Sequence, residues 1–253
     1  FKTITDTVES GATIVVPELP HLVVPDIDRP PHGFNYDVNL KWPSERQLYE
    51  NRMIEERAPA AHVFVYANKI DREVVRSPSR RFGIVSAGKA HADLLEAFRL
   101  LRISDQMLID NGISLYKVGM TWPLEPRGIR EFAQGLESIL VVEEKRPQLE
   151  KQIKEQLYNW PSAARPCIYG KLGRSGEQLL PEVFVFTPKQ VISALSNWLS
   201  HTPIGEYISK KVSQENTRPI QMQTSAFREP FFCSGCPHNT STKIPEDSVA
   251  GAG

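Results

Sequence analysis

Cysteine is scarce in this sequence, which has three among its 253 residues. A small and odd number excludes the disulfide frameworks that stabilise small secreted domains. Two of the three, Cys233 and Cys236, are separated by two residues near the end of the sequence, whereas Cys167 lies far upstream. We therefore expect free thiols, and the simplest prediction is a cytoplasmic protein.

An excess of charge and long apolar segments are absent as well. Lys plus Arg and Asp plus Glu number 30 each, and both signs are mixed along the chain. This balance excludes the basic patches that bind nucleic acids or anionic membranes. No apolar segment is long enough to span a bilayer, and no signal peptide is recognisable. We predict neither a nucleic acid nor a membrane as a partner.

Short apolar segments alternate with amphipathic ones over the middle of the chain. The apolar segments predict strands, and the spacing of apolar residues between them predicts helices over about 92–101, 127–134 and from 147 onward. The predicted strands are 82–88, 113–118, 139–142 and 167–169. This alternation predicts an α/β fold, namely a Rossmann-like parallel sheet with helices on both faces.

The flanking segments follow other patterns. Over residues 1–16 the sequence predicts the end of a helix and then a short strand. A proline-rich extended segment follows up to Pro43. Ser44 and Gln47 form a capping box for a helix to about Arg57, and a second helix is predicted from Pro59. After residue 181 we predict a short strand, a helix over about 189–199 and a polar connector over 201–229.

A near match to a phosphate-binding P-loop occurs at residues 83–90. In a true P-loop the glycines lie in the loop, and a Ser or Thr follows the lysine to hold magnesium. Here Gly83 falls inside a predicted strand, and Ala90, which follows Lys89, has no hydroxyl group. We reject a nucleotide triphosphatase and interpret Lys89 as incidental to a strand-to-helix turn.

Several polar residues have simple structural interpretations. Glu143 and Glu144 are adjacent on a strand and point to opposite faces, so they form no catalytic dyad and are expected at an exposed strand end. Cys167 stands in an apolar stretch and is expected to be buried. Five histidines without ligand spacing are expected to be structural or solvated: His21, His32, His62, His91 and His201.

A loop rich in Gly, Trp and Pro follows the second of these strands, at residues 119–123. Loops at the carboxyl ends of strands can reach a neighbouring active site. The composition favours another interpretation, a rigid turn whose Trp122 and prolines pack against the next helix.

The strongest chemical signal is the turn Cys233-Ser234-Gly235-Cys236. Two thiolates at this spacing suit zinc or an iron–sulfur cluster, and the remaining ligands must come from elsewhere. One hypothesis is therefore a non-catalytic α/β assembly module with a zinc clip.

A second hypothesis comes from motifs that occur in a fixed order. The most specific are Val-Gly-Met-Thr-Trp-Pro-Leu-Glu-Pro from Val118, Val-Val-Glu-Glu-Lys-Arg-Pro from Val141, and Cys-Ser-Gly-Cys-Pro-His from Cys233. With Asp6–Ser10, 82–89 and 152–158, they resemble the large, fused-chain bacterial indolepyruvate ferredoxin oxidoreductases, a branch of the thiamine-dependent 2-oxoacid:ferredoxin oxidoreductases. The resemblance covers nearly the whole chain. The ends, Phe1 and Ala-Gly-Ala-Gly, are interpreted as cuts.

The resemblance implies a division of the chain into five parts. A central transketolase C-terminal-like domain lies between a linker with two helices and a helix with a connector. The parts are 1–16 (end of the pyrimidine-binding domain), 17–80 (linker), 81–186 (central domain), 187–229 (helix and connector) and 230–253 (start of the thiamine diphosphate-binding domain).

The resemblance also implies a reaction, the oxidative decarboxylation of an aryl-2-oxoacid with CoA to acyl-CoA, CO2 and reduced ferredoxin. The implied cofactors of the intact enzyme are thiamine diphosphate with Mg2+ and a [4Fe–4S] cluster, with the Gly-Asp-Gly metal site expected beyond Gly253. None is expected on the fragment, which should be inactive. The implied partners are the remaining domains of the same enzyme, ferredoxin, CoA and a second copy in a homodimer.

Site residues follow from the same resemblance. Cys233 and Cys236 would be two cluster ligands of an incomplete site, and His238 would lie near the thiamine. A Pro-His follows the second cysteine where many relatives have glycine. The loop Gly119, Met120, Thr121 and Trp122 would face a neighbouring domain. No catalytic residue is assigned within this segment.

Overall fold

The computed structural model describes residues 20–31, 45–216 and 232–249, together with positions 15, 18, 33, 34, 41 and 43. The chain divides into two compact units, Phe1–Val212 and Ser213–Gly253. The predictions for residues 1–14, for the cap at Ser44 and for 217–231 lie outside the described residues. The five-part domain division stays a prediction.

A five-stranded mixed sheet forms the centre of the first unit. Its spatial order is β1-β3-β2-β4-β5, and only β1 runs antiparallel to its neighbour. The strands are β1 (Arg72–Val75), β2 (Phe82–Ala87), β3 (Ile113–Val118), β4 (Ser138–Val142) and β5 (Cys167–Tyr169). The predicted α/β fold is confirmed, with one correction: the sheet is not all parallel, because an antiparallel edge strand precedes the four predicted strands.

The three central strands are buried almost throughout. Strands covered by helices on both faces have no solvent face, so their sequences are largely apolar rather than regularly alternating. This is why β2, β3 and β4 are recognisable from sequence.

Helices cover both faces of the sheet, as predicted. In chain order they are α1 (Arg46–Asn51), a π-helical turn (Arg52–Arg57), α2 (Ala58–Ala67), α3 (Gly88–Leu101), α4 (Asp105–Asp110), α5 (Pro126–Ala133), α6 (Leu149–Leu157), α7 (Pro188–Trp198) and α8 (Pro203–Asn216). One core cluster contains Ile84 with Leu94 and Leu195, from α3 and α7. The other contains Val85 with Ile153 from α6.

Gly83 lies inside β2 at a position where two neighbouring side chains leave no room for a Cβ atom. A Cβ atom at this position would lie 2.6 Å from Leu136 Cδ1 and 2.9 Å from Phe132 Cε1. Real Cβ atoms do not approach carbon this closely, so the glycine permits the end of α5 to pack against the strand. This role differs from that of a P-loop glycine.

Two predictions for the later part of the first unit are wrong. The segment after Pro181 forms no strand, and Phe184 there is 83% exposed. The polar stretch expected to be a connector contains α8, with Ile204 and Ile208 buried. An apolar stripe of so few residues is too weak to predict an amphipathic helix, and packing against the core supplies the rest.

The described part of the second unit contains the short helix α9 (His238–Ser241). Across the described residues of both units, no helix has the length and apolar character needed to cross a membrane.

Candidate functional site

The connections of β2 and β4 leave these neighbouring strands in opposite directions. The chain passes from β2 to β3 on one side and from β4 to β5 on the other. Ligands of open α/β sheets bind at such a switch point, outside the carboxyl ends of the strands. A cavity of about 220 Å³, the switch-point crevice, lies there, and its lining includes Ala87, Lys89, Thr121, Glu143, Glu144 and Gln148.

Lys89 is held by two carboxylates in this crevice. Its Nζ atom donates to Asp93 Oδ2 at 2.6 Å, to Glu144 Oε1 at 3.1 Å and to the carbonyl of Phe186 at 3.4 Å. Partial burial lowers the pKa of Lys89, but the hydrogen bonds to Asp93 and Glu144 raise it above its ordinary value. The ammonium group therefore ties together α3, the end of β4 and the segment before α7.

Glu143 caps the following helix, and the prediction that it lies at an exposed strand end is wrong. It is 7% exposed, and its carboxylate accepts hydrogen bonds from the backbone N–H groups of Gln148, Leu149 and Glu150 at 3.0, 2.8 and 3.0 Å. Burial raises the pKa of Glu143, and these three donors oppose that effect. A carboxylate here satisfies the free N–H groups at the start of α6.

Lys171 is 2% exposed, and this burial was not predicted from the sequence. Its Nζ atom donates to the carbonyls of Glu143 and Pro181, and its backbone N–H donates to Glu150 Oε2. The available signal is that this lysine lies two residues after the predicted strand 167–169, next to Gly170. Together with Glu143 it fixes the carboxyl end of β4.

Asp71 holds the loop after β3, and this role of Asp71 was also not predicted from the sequence. Its Oδ1 atom accepts hydrogen bonds from the backbone N–H groups of Gly119 and Met120 at 2.7 and 2.9 Å. The Oδ2 atom is buried without a hydrogen-bond partner. Burial raises the pKa of Asp71, although the two backbone donors oppose this. The chain therefore enters the loop at a fixed position.

The predicted interdomain loop of Gly119, Met120, Thr121 and Trp122 lies at the carboxyl edge of the sheet. Thr121 lines the switch-point crevice. Trp122 is 61% exposed, so the interpretation that it packs against the next helix is wrong. An exposed tryptophan is available to a neighbouring domain.

Ser86 and His91 form a buried pair at the start of α3. Ser86 Oγ lies 2.9 Å from His91 Nδ1, and the two residues are 1% and 8% exposed. Burial lowers the pKa of His91, and the charges of Lys117 and Arg72 lower it further. A serine so deeply buried is not accessible to a substrate, so the pair joins β2 to α3 and is structural.

The cysteine turn lies in the second unit. The N–H group of Cys236 donates to the carbonyl of Cys233 at 3.0 Å, and Gly235 has a φ of +80°, which favours glycine. Cys236 Sγ lies 3.2 Å from His238 Nδ1, and the rings of Phe232 and His238 are stacked with centroids 5.1 Å apart. The turn thus brings together the three residues predicted for the cluster and the thiamine site.

With two thiols at this spacing, these residues could supply at most two of the four ligands of a cluster. Cys233 is exposed and Cys236 is half-buried, so both thiols are accessible to a metal. Among the described residues, no group of three or more His, Cys, Asp or Glu side chains could hold a metal ion. The described part of the chain therefore forms no complete four-ligand cluster site from these residue types.

Cys167, expected to be buried, is exposed. It begins β5 at the edge of the sheet, where only β4 pairs with it. Because an edge position lacks a covering neighbour, an apolar stretch alone does not predict burial there.

The sheet order and the crevice define a doubly wound α/β domain. The model of the indolepyruvate oxidoreductase domain matches residues 72–218, beginning at the first residue of β1. The chain belongs to this family, and the resemblance is confirmed at the level of the indolepyruvate oxidoreductases.

Archaeal relatives agree with this assignment. The chain is similar to indolepyruvate oxidoreductase subunit IorA of Thermococcus kodakarensis, at 28% identity over 64% of this chain and 22% of the relative. It is 30% identical to the subunit of the same name from Pyrococcus abyssi, with the same coverage. The chain spans about a fifth of the length of these relatives.

One solved structure overlaps more weakly. It is a 2-oxoglutarate:ferredoxin oxidoreductase from Magnetococcus marinus with 2-oxoglutarate, coenzyme A and succinyl-CoA bound. The overlap covers 69% of this chain and 24% of that one, at 18% identity and a TM-score of 0.36. A score this low supports no conclusion about ligands.

Proposed function

We propose that this chain is a segment of a 2-oxoacid:ferredoxin oxidoreductase that oxidatively decarboxylates an aryl-2-oxoacid of the indolepyruvate type. The products would be an acyl-CoA, CO2 and reduced ferredoxin. The supporting observation is the family match over residues 72–218, together with relatives named as indolepyruvate oxidoreductase subunits. The fused-chain form is part of this proposal.

Within that enzyme the segment would act as a scaffold. The polar groups at the switch-point crevice are engaged in holding the fold: Lys89 is paired with carboxylates, and Glu143 caps a helix. No residue of the segment is assigned a catalytic role, and the chain alone should be inactive.

The contacts with other parts of the enzyme would come from two places. Cys233 and Cys236 would supply two ligands of a [4Fe–4S] cluster, with His238 beside the thiamine diphosphate. The exposed Trp122 loop would face a neighbouring domain. When bound, thiamine diphosphate stabilises the carbanion left by decarboxylation, and a cluster carries electrons to ferredoxin. The other proposed partners are CoA and a second copy of the enzyme.

The reaction is tested on the full-length protein. We expect ferredoxin reduction that requires CoA, with a higher kcat/KM for indole-3-pyruvate than for pyruvate or 2-oxoglutarate. Equal turnover of the three acids would refute the aryl specificity, and no reduction with any of them would refute the reaction. The 253-residue chain alone should show no tight binding of thiamine diphosphate with Mg2+ by calorimetry.

The cysteine pair separates this proposal from the zinc-clip module. In the full-length protein, a Cys233→Ala/Cys236→Ala double variant should lose iron and the electron paramagnetic resonance signal of the reduced cluster. Cys167→Ala is the matched control and should keep both. Stoichiometric zinc without iron in the unaltered protein would support the zinc clip instead.

A further inference from the structure

A second cavity lies at the opposite edge of the sheet from the switch-point crevice. Its volume is about 350 Å³, within the range of small-molecule sites. Phe82, Ser138 and Cys167, the first residues of β2, β4 and β5, stand side by side in register and line it. Because paired residues of parallel strands point to the same face, these three side chains border one space. We call it the amino-edge cavity.

Three aromatic side chains form part of the wall of this cavity. The rings of Phe82 and Trp198 meet edge to face, with centroids 5.8 Å apart and planes at 81°. Trp198 Nε1 donates to Ser138 Oγ at 3.1 Å, which fixes the indole ring. Tyr169 also lines the cavity and is half-buried. These rings provide flat, preorganised apolar surface.

The two arginines that line the cavity differ in their pairing. Arg81 is neutralised by Glu137 through two bonds of 2.7 and 3.1 Å. Arg174 donates to the neutral hydroxyl of Tyr169 at 3.4 Å, and no carboxylate in the described part of the chain lies within ion-pair distance of it. Glu177, which also lines the cavity, accepts instead from the N–H of Ser175.

Arg174 is presented by a closed turn rather than by a loose loop. The N–H of Leu179 donates to the carbonyl of Lys171, and the N–H of Gly173 donates to the carbonyl of Glu177, each at 2.8 Å. The buried ammonium group of Lys171 anchors the base of this turn. The backbone of this turn therefore places Arg174 at the cavity, where its Nε atom donates to the Tyr169 hydroxyl.

We propose that the amino-edge cavity binds a planar aromatic carboxylate. The ring packs against Tyr169 and Trp198, and the carboxylate pairs with Arg174, whose fork matches two carboxylate oxygens. The lining also contains His201 and the carboxylate of Glu177, so the positive charge of the cavity suits one negative charge rather than a phosphate dianion. The proposal does not depend on the reaction proposed for the intact enzyme.

The exposed thiol of Cys167 gives a local readout in the full-length protein. Alkylation of this thiol by iodoacetamide is followed by peptide mass spectrometry in the presence of one of three compounds. They are 2-naphthoate, its neutral isostere 2-naphthamide, and inorganic phosphate. We expect 2-naphthoate to slow the alkylation of Cys167. Half-protection should require at least about a tenfold higher concentration of 2-naphthamide or of phosphate than of 2-naphthoate. The amide loses the charge-assisted pair, and phosphate loses the ring contact.

Variants test the role assigned to Arg174. Arg174→Gln should raise the concentration of 2-naphthoate for half-protection at least about tenfold, and Arg174→Lys should raise it less. Arg99→Gln, an exposed arginine on α3, is the matched control and should change nothing. Unchanged melting temperatures would show that the variants fold.

Three results would overturn the proposal. They are equal protection by 2-naphthamide or phosphate, equal protection in Arg174→Gln, and a Cys167 that does not react in the ligand-free full-length protein. The last would mean that another part of the enzyme covers the cavity.

Discussion

The ammonium group of Lys171 donates a hydrogen bond to the backbone carbonyl of Glu143 across the carboxyl end of the sheet. Burial lowers the pKa of Lys171, and the nearby carboxylates of Glu143 and Glu150 oppose that effect. Since Glu143 also caps α6, one buried contact connects β4, α6 and the chain after β5. Stability in this region therefore depends on charged groups in the interior.

Removing this ammonium group should destabilise the fold. Lys171→Met keeps the apolar stem and the backbone N–H bond to Glu150, but it leaves the carbonyls of Glu143 and Pro181 without their ammonium donor. Breaking a buried charged contact costs about 3–5 kcal/mol, so we expect a loss at the lower end of that range. Urea denaturation of the chain followed by circular dichroism measures it. Lys151→Met, on the exposed side of α6, should change stability by less than about 0.5 kcal/mol. A loss below about 1 kcal/mol for Lys171→Met would contradict this role.

The cap on α6 gives a second prediction. Glu143→Gln removes the charge that faces three backbone N–H groups, so we expect a loss of about 1–2 kcal/mol. Hydrogen exchange should accelerate at the amides of Gln148, Leu149 and Glu150. Glu155→Gln, an exposed position on the same helix, serves as the control. Unchanged exchange at these three amides would show that the carboxylate is not their partner in solution.

The elements predicted correctly are those whose sequence reflects local burial. Strands β2 to β4 are largely apolar. Helix α6 shows its stripe of Leu149, Ile153 and Leu157 together with a Glu150–Lys154 pair at 2.5 Å. The edge strand β1 has four residues, of which only Val75 is buried. So short an alternation has no periodicity to detect.

The site residues were less predictable, because their roles come from contacts between distant parts of the chain. Asp71 meets Gly119 across 48 positions, and Lys171 meets Glu143 across 28. In sequence each resembles an ordinary surface charge. The cysteine turn was recognisable because its spacing is itself the chemical signal.

The exposed Trp122 gives a test of the interdomain loop. In hydroxyl-radical footprinting, Trp122 should be oxidised several-fold less in the full-length enzyme than in the 253-residue chain, because a neighbouring domain would cover it. Trp122→Ala should change the stability of the chain alone by less than about 0.5 kcal/mol, as expected for an exposed side chain. Equal oxidation in both proteins would refute the interdomain contact. Trp198, half-buried in this chain, provides the internal reference.

The buried carboxylate of Asp71 predicts a pH dependence with a definite sign. Burial raises its folded-state pKa above the unfolded value, so the folded state binds the proton more tightly. This contribution to stability is present below the unfolded pKa and is lost as the pH rises through the folded pKa. Asp71→Asn keeps an oxygen to accept from Gly119 and Met120 but carries no charge. Its stability relative to the unaltered chain should therefore improve as the pH rises from about 4 to about 7.

Urea denaturation of the chain across this pH range measures the difference in the free energy of unfolding. Asp110→Asn, at an exposed position on α4, reports the general effect of removing one carboxylate. Asp71→Ala removes the acceptor as well, so hydrogen exchange at the amides of Gly119 and Met120 should accelerate in this variant and not in Asp71→Asn. The quantity compared is the difference in unfolding free energy between Asp71→Asn and the unaltered chain. If this difference stays constant with pH, or changes in the opposite direction, Asp71 does not titrate as a buried acid. In that case the unpartnered Oδ2 atom must gain a hydrogen bond or solvent in solution, since a carboxylate left without either would be unfavourable when charged.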